Sequence, residues 1–193
     1  MLIRILTLLL LLAPCASPAV AGPLPSPNWP GPADRGEAVL QAAALRLHNQ
    51  ARRAFGVTPL AWNAQLAEAA RGYAERMAAT GIYDHDATPG RRKAMGENIW
   101  RGARGVFSYE MMVGVMIDEV RLFDRGVFPA VSRTGNWHDV AHYTQIIWPT
   151  TTEIGCGLAS GATMDYFVCR YAPAGNKDGT MLDPTLRIAE RGN

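Results

Sequence analysis

From Glu37 onward the apolar positions recur at three- and four-residue spacing. Leu40, Ala43, Ala44, Leu47, Ala51, Ala54 and Phe55 form one stripe, so a first helix is predicted, stopped by Gly56 and sealed by Pro59. Asn63 is a suitable cap for a second helix with the stripe Leu66, Ala69, Ala70, Tyr73 and Met77, ending at Gly81. Residues 82–95 have no period and carry Pro89-Gly90, which predicts a loop. Gly96 to Trp100 reads as a short strand or an extended segment. A third helix is expected over about Ser108 to Asp124, with Tyr109, Met112, Val113, Met116, Ile117, Val120 and Phe123 as its apolar face. Residues 125–140 read as a second loop and His142 to Trp148 as a short helix. Glu153–Ala159 and Tyr166–Tyr171 read as a β-hairpin turned by residues 160–163, with Pro173 and Gly175 ending its second strand. Helices segregated from a small antiparallel sheet predict an α+β layered fold in one domain.

The chain's first residues change the picture of where it works. Arg4, the apolar run Ile5 to Ala13 and Ala19-Val20-Ala21 have the layout of an export signal, with cleavage expected after Ala21. The apolar run is too short to span a bilayer comfortably, and no later stretch could cross one. Residues 22–36 read as a Pro/Gly-rich leader. The expected product is secreted, extracellular or periplasmic. Lys and Arg total 19 against 17 Asp and Glu, a near balance that gives no sign of nucleic-acid binding. Arg91-Arg92-Lys93 reads as a solvated loop. Once Cys15 leaves with the signal, Cys156 and Cys169 remain in an oxidising compartment, so they are expected to pair across the hairpin.

Four strings then stand out: His48-Asn49-x-x-Arg52, Gly96-Glu97-Asn98-Ile99-Trp100, Ala141-His142-Tyr143-Thr144-Gln145-Ile146-Ile147-Trp148, and the run Tyr166 to Asn176. In this order they resemble the motifs of the CAP family, the cysteine-rich secretory proteins, antigen 5 and plant pathogenesis-related 1 proteins that share the SCP domain. The resemblance covers about residues 40–177, so residues 37–177 are expected to form the domain and 178–193 a tail. Ala141 departs from the glycine usual in the family, and no cysteine-rich extension follows.

The resemblance implies a three-layer α-β-α sandwich around a small antiparallel sheet. It also implies a cleft lined by His85, Glu97, Glu119 and His142, with His85 and His142 as ligands of zinc or another divalent cation. The residue types suit that role, since imidazoles with nearby carboxylates are ordinary zinc ligands. His85 has Asp84 and Asp86 beside it, and a neighbouring carboxylate can fix an imidazole's tautomer. Glu97 lies among apolar residues and needs a polar pocket. Glu119 sits at the margin of the third helix's apolar face. A bland reading stands beside each. His48 is expected to make a core hydrogen bond, His138 is a minor candidate for a third ligand, and the methionine stripe and Trp62, Trp100 and Trp148 read as core and cleft walls. For the four together, a metal-holding cleft and an inert polar cluster both remain open. No HExxH string or Ser-His-Asp order marks a catalytic centre. The leading expectation is therefore a binding scaffold for an extracellular protein or small lipid, monomeric or weakly dimeric. A metal-assisted hydrolase and a sterol- or fatty-acid-binding protein are the alternatives.

Overall fold

The computed structural model describes residues 33–183. The expected signal, residues 1–21, and most of the leader lie outside them. Two long helices begin the fold, α1 (Glu37–Phe55) and α2 (Ala64–Thr80), joined through the two-residue strand β1 (Ala61–Trp62). Both helices end on a glycine in the left-handed region, Gly56 at φ 94° and Gly81 at φ 73°, whose amides bond back to the last-turn carbonyls. Asn63 caps α2 as expected, its Oδ1 accepting from the amides of Gln65 and Leu66. The one-turn helix α3 (Arg91–Ala94) and strand β2 (Gly96–Ala103) come next, followed by α4 (Tyr109–Ile117). The chain continues through β3 (Gly126–Val127), α5 (Ala141–Ile146), β4 (Glu153–Ser160), β5 (Met164–Ala172) and β6 (Met181–Leu182).

The main sheet has the order β1-β4-β5-β2. Its antiparallel hairpin places Cys156 opposite Cys169, and the two form a disulfide. One feature corrects the expectation of a purely antiparallel sheet: β1 runs parallel to β4, with Ala61 N bonding Thr152 O and Asn63 N bonding Ile154 O. Two residues carry no period from which to read a strand. β3 and β6 form a separate ribbon, and Leu182 is fully buried, so residues expected to open a tail dock against the domain.

Three layers result, and alternation along β5 explains them. Phe167, Cys169 and Tyr171 face one core with α1, α4 and α5, where Met112, Met116, Ile146 and Trp148 are also buried. Tyr166 and Val168 face the other, with Ala70, Tyr73, Ala74 and Met77 of α2 and Ile99 of β2. The helix α2 can lie close to β4 because Gly155 and Gly157 present no side chain. A Cβ on Gly155 would stand 2.1 Å from the amide nitrogen of Ala67. Arg52 pins α1 to the end of α5 and the residues that follow it. Its guanidinium is fully buried and donates to the carbonyls of Thr58, Ile146, Trp148 and Thr151. Burial pushes it down to about 10.

Three further expectations need correction. The helix expected over Ser108 to Asp124 is α-helical only to Ile117; Asp118–Arg121 tighten into a 3₁₀ turn. The loop at 82–95 contains α3, and Arg91 is buried rather than solvated, because its guanidinium donates to the carbonyl of Asp86. The loop at 125–140 contains β3 and a 3₁₀ turn over Trp137–Val140. Among the described residues, no helix is long and apolar enough to cross a membrane.

Candidate functional site

β2 is an edge strand, so its outer side borders a cleft that both layers of helices can reach. The cleft has a volume of about 410 Å³, and His85, Glu97, His138 and His142 are among its lining residues. Its floor is built on close approaches: Gly96 and Gly175 both lie against the amide of Gln145, and the amide of Gly175 donates to Gln145 Oε1.

The α2 layer supplies His85. The Tyr73 hydroxyl donates to the carbonyl of Asp84 at 2.6 Å, and Asp84 Oδ1 accepts from the amide of His85 at 2.7 Å. The imidazole itself meets Glu97, with Nδ1 2.6 Å from Oε1. Its expected partners, Asp84 and Asp86, are therefore not the groups that orient the ring. Asp84 holds the backbone, and Asp86 turns away to accept from Arg170 Nη2 at 2.8 Å. The Glu97 side chain is 1% exposed while that of His85 is 42% exposed, so the carboxylate is the fixed element and the imidazole the accessible one. Glu97 is held from several sides. The amide of Asp86 donates to Oε1, Arg91 Nη2 lies 3.4 Å from Oε1, and Arg170 Nη1 lies 2.6 Å from Oε2. That last contact is an ion pair without hydrogen-bond alignment, and among the described residues Arg170 Nε has no hydrogen-bond partner. The Arg170 guanidinium also stacks over the Tyr73 ring, 5.1 Å from its centroid. Burial pushes the Asp86 carboxyl up, but the Thr88 hydroxyl and amide and the Arg170 guanidinium outweigh it and hold the group at about 2.

The opposite layer supplies His142, at the second position of α5. Glu119, on the 3₁₀ turn, accepts at Oε2 from the amides of His142 (2.9 Å) and Tyr143 (3.0 Å). Its other oxygen lies 2.5 Å from His142 Nδ1. One carboxylate thus satisfies two orphan donors of a helix start and orients the imidazole there. Ala141, where the resembled motif has glycine, sits at φ −63° and ψ −37°, ordinary right-handed backbone that alanine adopts freely.

The four residues expected in the cleft are thus joined as two histidine–glutamate pairs. Each pair engages Nδ1, and neither Nε2 has a hydrogen-bond partner among the described residues. His138 lines the same cleft, stacked on Trp137 at 4.0 Å. His48 takes no part: it is fully buried and bonded to Ala44 O and the Tyr171 hydroxyl, the core role expected of it. The sequence reading gives no site role to Arg170, Asn98 or Gln145, and takes Arg91 for a solvated residue. An arginine inside the apolar run Phe167-Val168-Cys169-Arg170-Tyr171 was the available signal, since a charge there must be buried and paired.

No group of three or more His, Cys, Asp or Glu among the described residues is gathered so as to hold a metal ion. Imidazoles are donors of a type zinc takes, and a carboxylate on Nδ1 is the usual outer partner of a zinc-bound histidine.

Comparison with known proteins agrees with this architecture. The profile of the Cysteine-rich secretory protein family, CAP, matches residues 45–171. Venom allergen 5 of Vespa velutina is 35% identical over 131 residues, covering 64% of this chain and 60% of the allergen. Pathogenesis-related protein 1A of Nicotiana tabacum is 32% identical over 137 residues, covering 70% of this chain and 76% of that protein. The chain thus spans about three fifths of the length of the venom allergen it matches. The crystal structure of NaASP2 with Zn2+ superposes with a TM-score of 0.61 at 21% identity, over 77% of this chain and 86% of the other. That likeness is one of fold, and the profile match together with the α-β-α layering leads to one conclusion: the chain belongs to the cysteine-rich secretory protein (CAP) family.

Proposed function

We propose that this chain is an exported binding module whose cleft takes a divalent cation, zinc first, on Nε2 of His85 and Nε2 of His142. The observation that carries the reading is the matched pair of carboxylate–imidazole contacts, Glu97 on His85 at 2.6 Å and Glu119 on His142 at 2.5 Å. A carboxylate on Nδ1 fixes the tautomer and raises the basicity of the opposite nitrogen, the usual outer partner of a metal-bound histidine. NaASP2, a protein of the same fold, has been crystallised with Zn2+. A bound cation would act as a Lewis acid and as an anchor for a partner's carboxylate or carbonyl. The chain's own groups orient the two rings and leave the remaining positions open. Export is supported by the signal-like start of the sequence and by the disulfide.

Calorimetric titration of metal-stripped protein with zinc tests the reading. Wild type should bind with a stoichiometry of about one, as a single open site requires. The double variant His85→Ala/His142→Ala should not bind, and identical isotherms for the two proteins would sink the proposal.

A second reading, lipid binding, has its own observation. A groove of about 290 Å³ lies between α1 and α4, with Leu47, Ala51, Ala54, Ile117 and Val120 along it and Arg46 and Asp118 at its border. A labelled fatty acid or sterol should bind there, and Ala51→Trp should block it. Equal binding by the variant and by heat-unfolded protein would dismiss this reading.

A further inference from the structure

A buried hydrogen-bond chain runs from α1 to the backbone of His142, and its first link fixes its polarity. Ala44 O is a carbonyl oxygen and can only accept, so His48 Nδ1, 2.8 Å away, carries the proton. Burial pushes the His48 imidazole down to about 4, so the ring is neutral near pH 7 and its Nε2 is an acceptor. The Tyr171 hydroxyl, 2.8 Å from Nε2, therefore donates to it. With that proton committed, the Tyr171 oxygen accepts from Asn98 Nδ2 at 3.1 Å. Asn98 Nδ2 also donates to the carbonyl of His142 at 3.1 Å. Turning the Asn98 amide over would set its oxygen against two acceptors, so this orientation is forced.

The end point of the chain needs such support. The helix α5 has only six residues, too few to hold itself rigid. His142 is gripped at its amide and Nδ1 by Glu119 and at its carbonyl by Asn98. His48 and Tyr171 are fully buried and Asn98 is 2% exposed, so water competes weakly for these bonds.

We propose that His48, Tyr171 and Asn98 form a positioning relay that fixes the backbone of His142, and through it the imidazole, for cation binding. The relay rests on the reading of His142 as a ligand, but its structural half can be tested without metal.

The experiment uses the isotopically labelled chain and the variants Tyr171→Phe and Asn98→Ala. Tyr171→Phe keeps the ring and removes the hydroxyl. In metal-free protein it should move the His48 Nε2 and His142 carbonyl-carbon resonances while leaving His85 in place. Zinc affinity should fall about tenfold in either variant, the lower end of the roughly 10–100-fold loss seen when outer partners of metal ligands are removed. The double variant should be no weaker than Asn98→Ala alone, because both changes cut one chain, whereas unconnected losses of stability would add. If Tyr171→Phe fails to fold, Asn98→Ala decides the matter. A folded variant whose His142 carbonyl resonance stays at the wild-type position overturns the relay, as does additivity in the double variant. A wild-type protein that binds no zinc overturns the metal reading instead, and the carbonyl resonance then judges the relay by itself.

Discussion

Acid should weaken this fold through His48, in a pH window that the structure defines. The imidazole is fully buried, and burial pushes it from 6.5 down to about 4, outweighing the Ala44 carbonyl, which pulls it up; nearby Arg52 adds to the lowering. A group whose folded value lies below its unfolded value binds fewer protons when folded. Its contribution is therefore complete above pH 6.5 and is lost as pH falls from 6.5 toward 4. At about 1.4 kcal/mol per pH unit, the loss over that span is about 3 kcal/mol. That is a large part of a typical domain's stability. Asp86, held at about 2 against an ordinary 3.8, also loses its contribution in acid, but only below pH 3.8, so the two windows do not overlap. The comparison protein is His48→Gln. Its amide oxygen can accept from the Tyr171 hydroxyl, and it cannot titrate. Urea unfolding of both proteins at pH 7, 6, 5 and 4 should show wild type losing about 3 kcal/mol more than the variant, the whole difference arising between pH 6.5 and 4. Parallel stability curves for the two proteins across that range would refute the reasoning.

Two other substitutions probe the scaffold. Arg52→Met removes the donors of three buried carbonyls, each costing about 1–3 kcal/mol when left unsatisfied, and of the part-buried Thr58 carbonyl, and should give no folded protein. Arg52→Lys offers three donors without the planar fork and should fold with a clearly lowered thermal midpoint; a midpoint within a few degrees of wild type would show that the guanidinium is dispensable. Gly155→Ala puts a methyl group into the backbone of α2 and should cost about 3 kcal/mol or more in urea unfolding, since the helix must lift from the sheet. Gly114, with nothing near its missing Cβ, should accept alanine at no loss or a small gain.

The sequence shows the elements whose physics is local and blurs those whose physics is not. The α1 stripe, apart from the exposed Ala54, the Asn63 cap and the hairpin around Cys156 and Cys169 follow from spacing and side-chain chemistry within one segment, and the structure has them. The third helix is over-read because Met116, Val120 and Phe123 keep a three- and four-residue spacing through the 3₁₀ turn. Periodicity cannot tell a tightened turn from a continuing helix. What sets the turn apart is Glu119, whose carboxylate is committed to the start of α5, 23 residues away. The site shows the same division. Glu97 and His142 lie within the motif strings, His85 and Glu119 follow only from the family resemblance, and the pairing is legible for none of them. Asp84 and Asp86 flank His85 in sequence, yet neighbours in an extended segment point to opposite sides, so sequence adjacency is poor evidence of contact. Glu97 reaches the ring from a different element.

The string Gly96-Glu97-Asn98 shows how one edge strand serves both halves of the cleft. Glu97 pairs in register with Arg170 and faces the α2 layer, where it holds the His85 imidazole. Asn98, one residue on, faces the α1 layer and holds the carbonyl of His142. In an interior strand these two directions would lead into separate cores. At an edge, both lead around the same rim. Gly96 completes the arrangement, because any Cβ there would stand 2.1 Å from Gln145 Oε1 and displace the cleft floor. A one-residue slip of β2 against β5 would therefore take the carboxylate from His85 and the amide from His142 together. The alternation of a single strand thus holds both histidines of one cleft, and the Glu97–Arg170 cross-strand pair, both side chains buried, is one of the eight pairs that define its register.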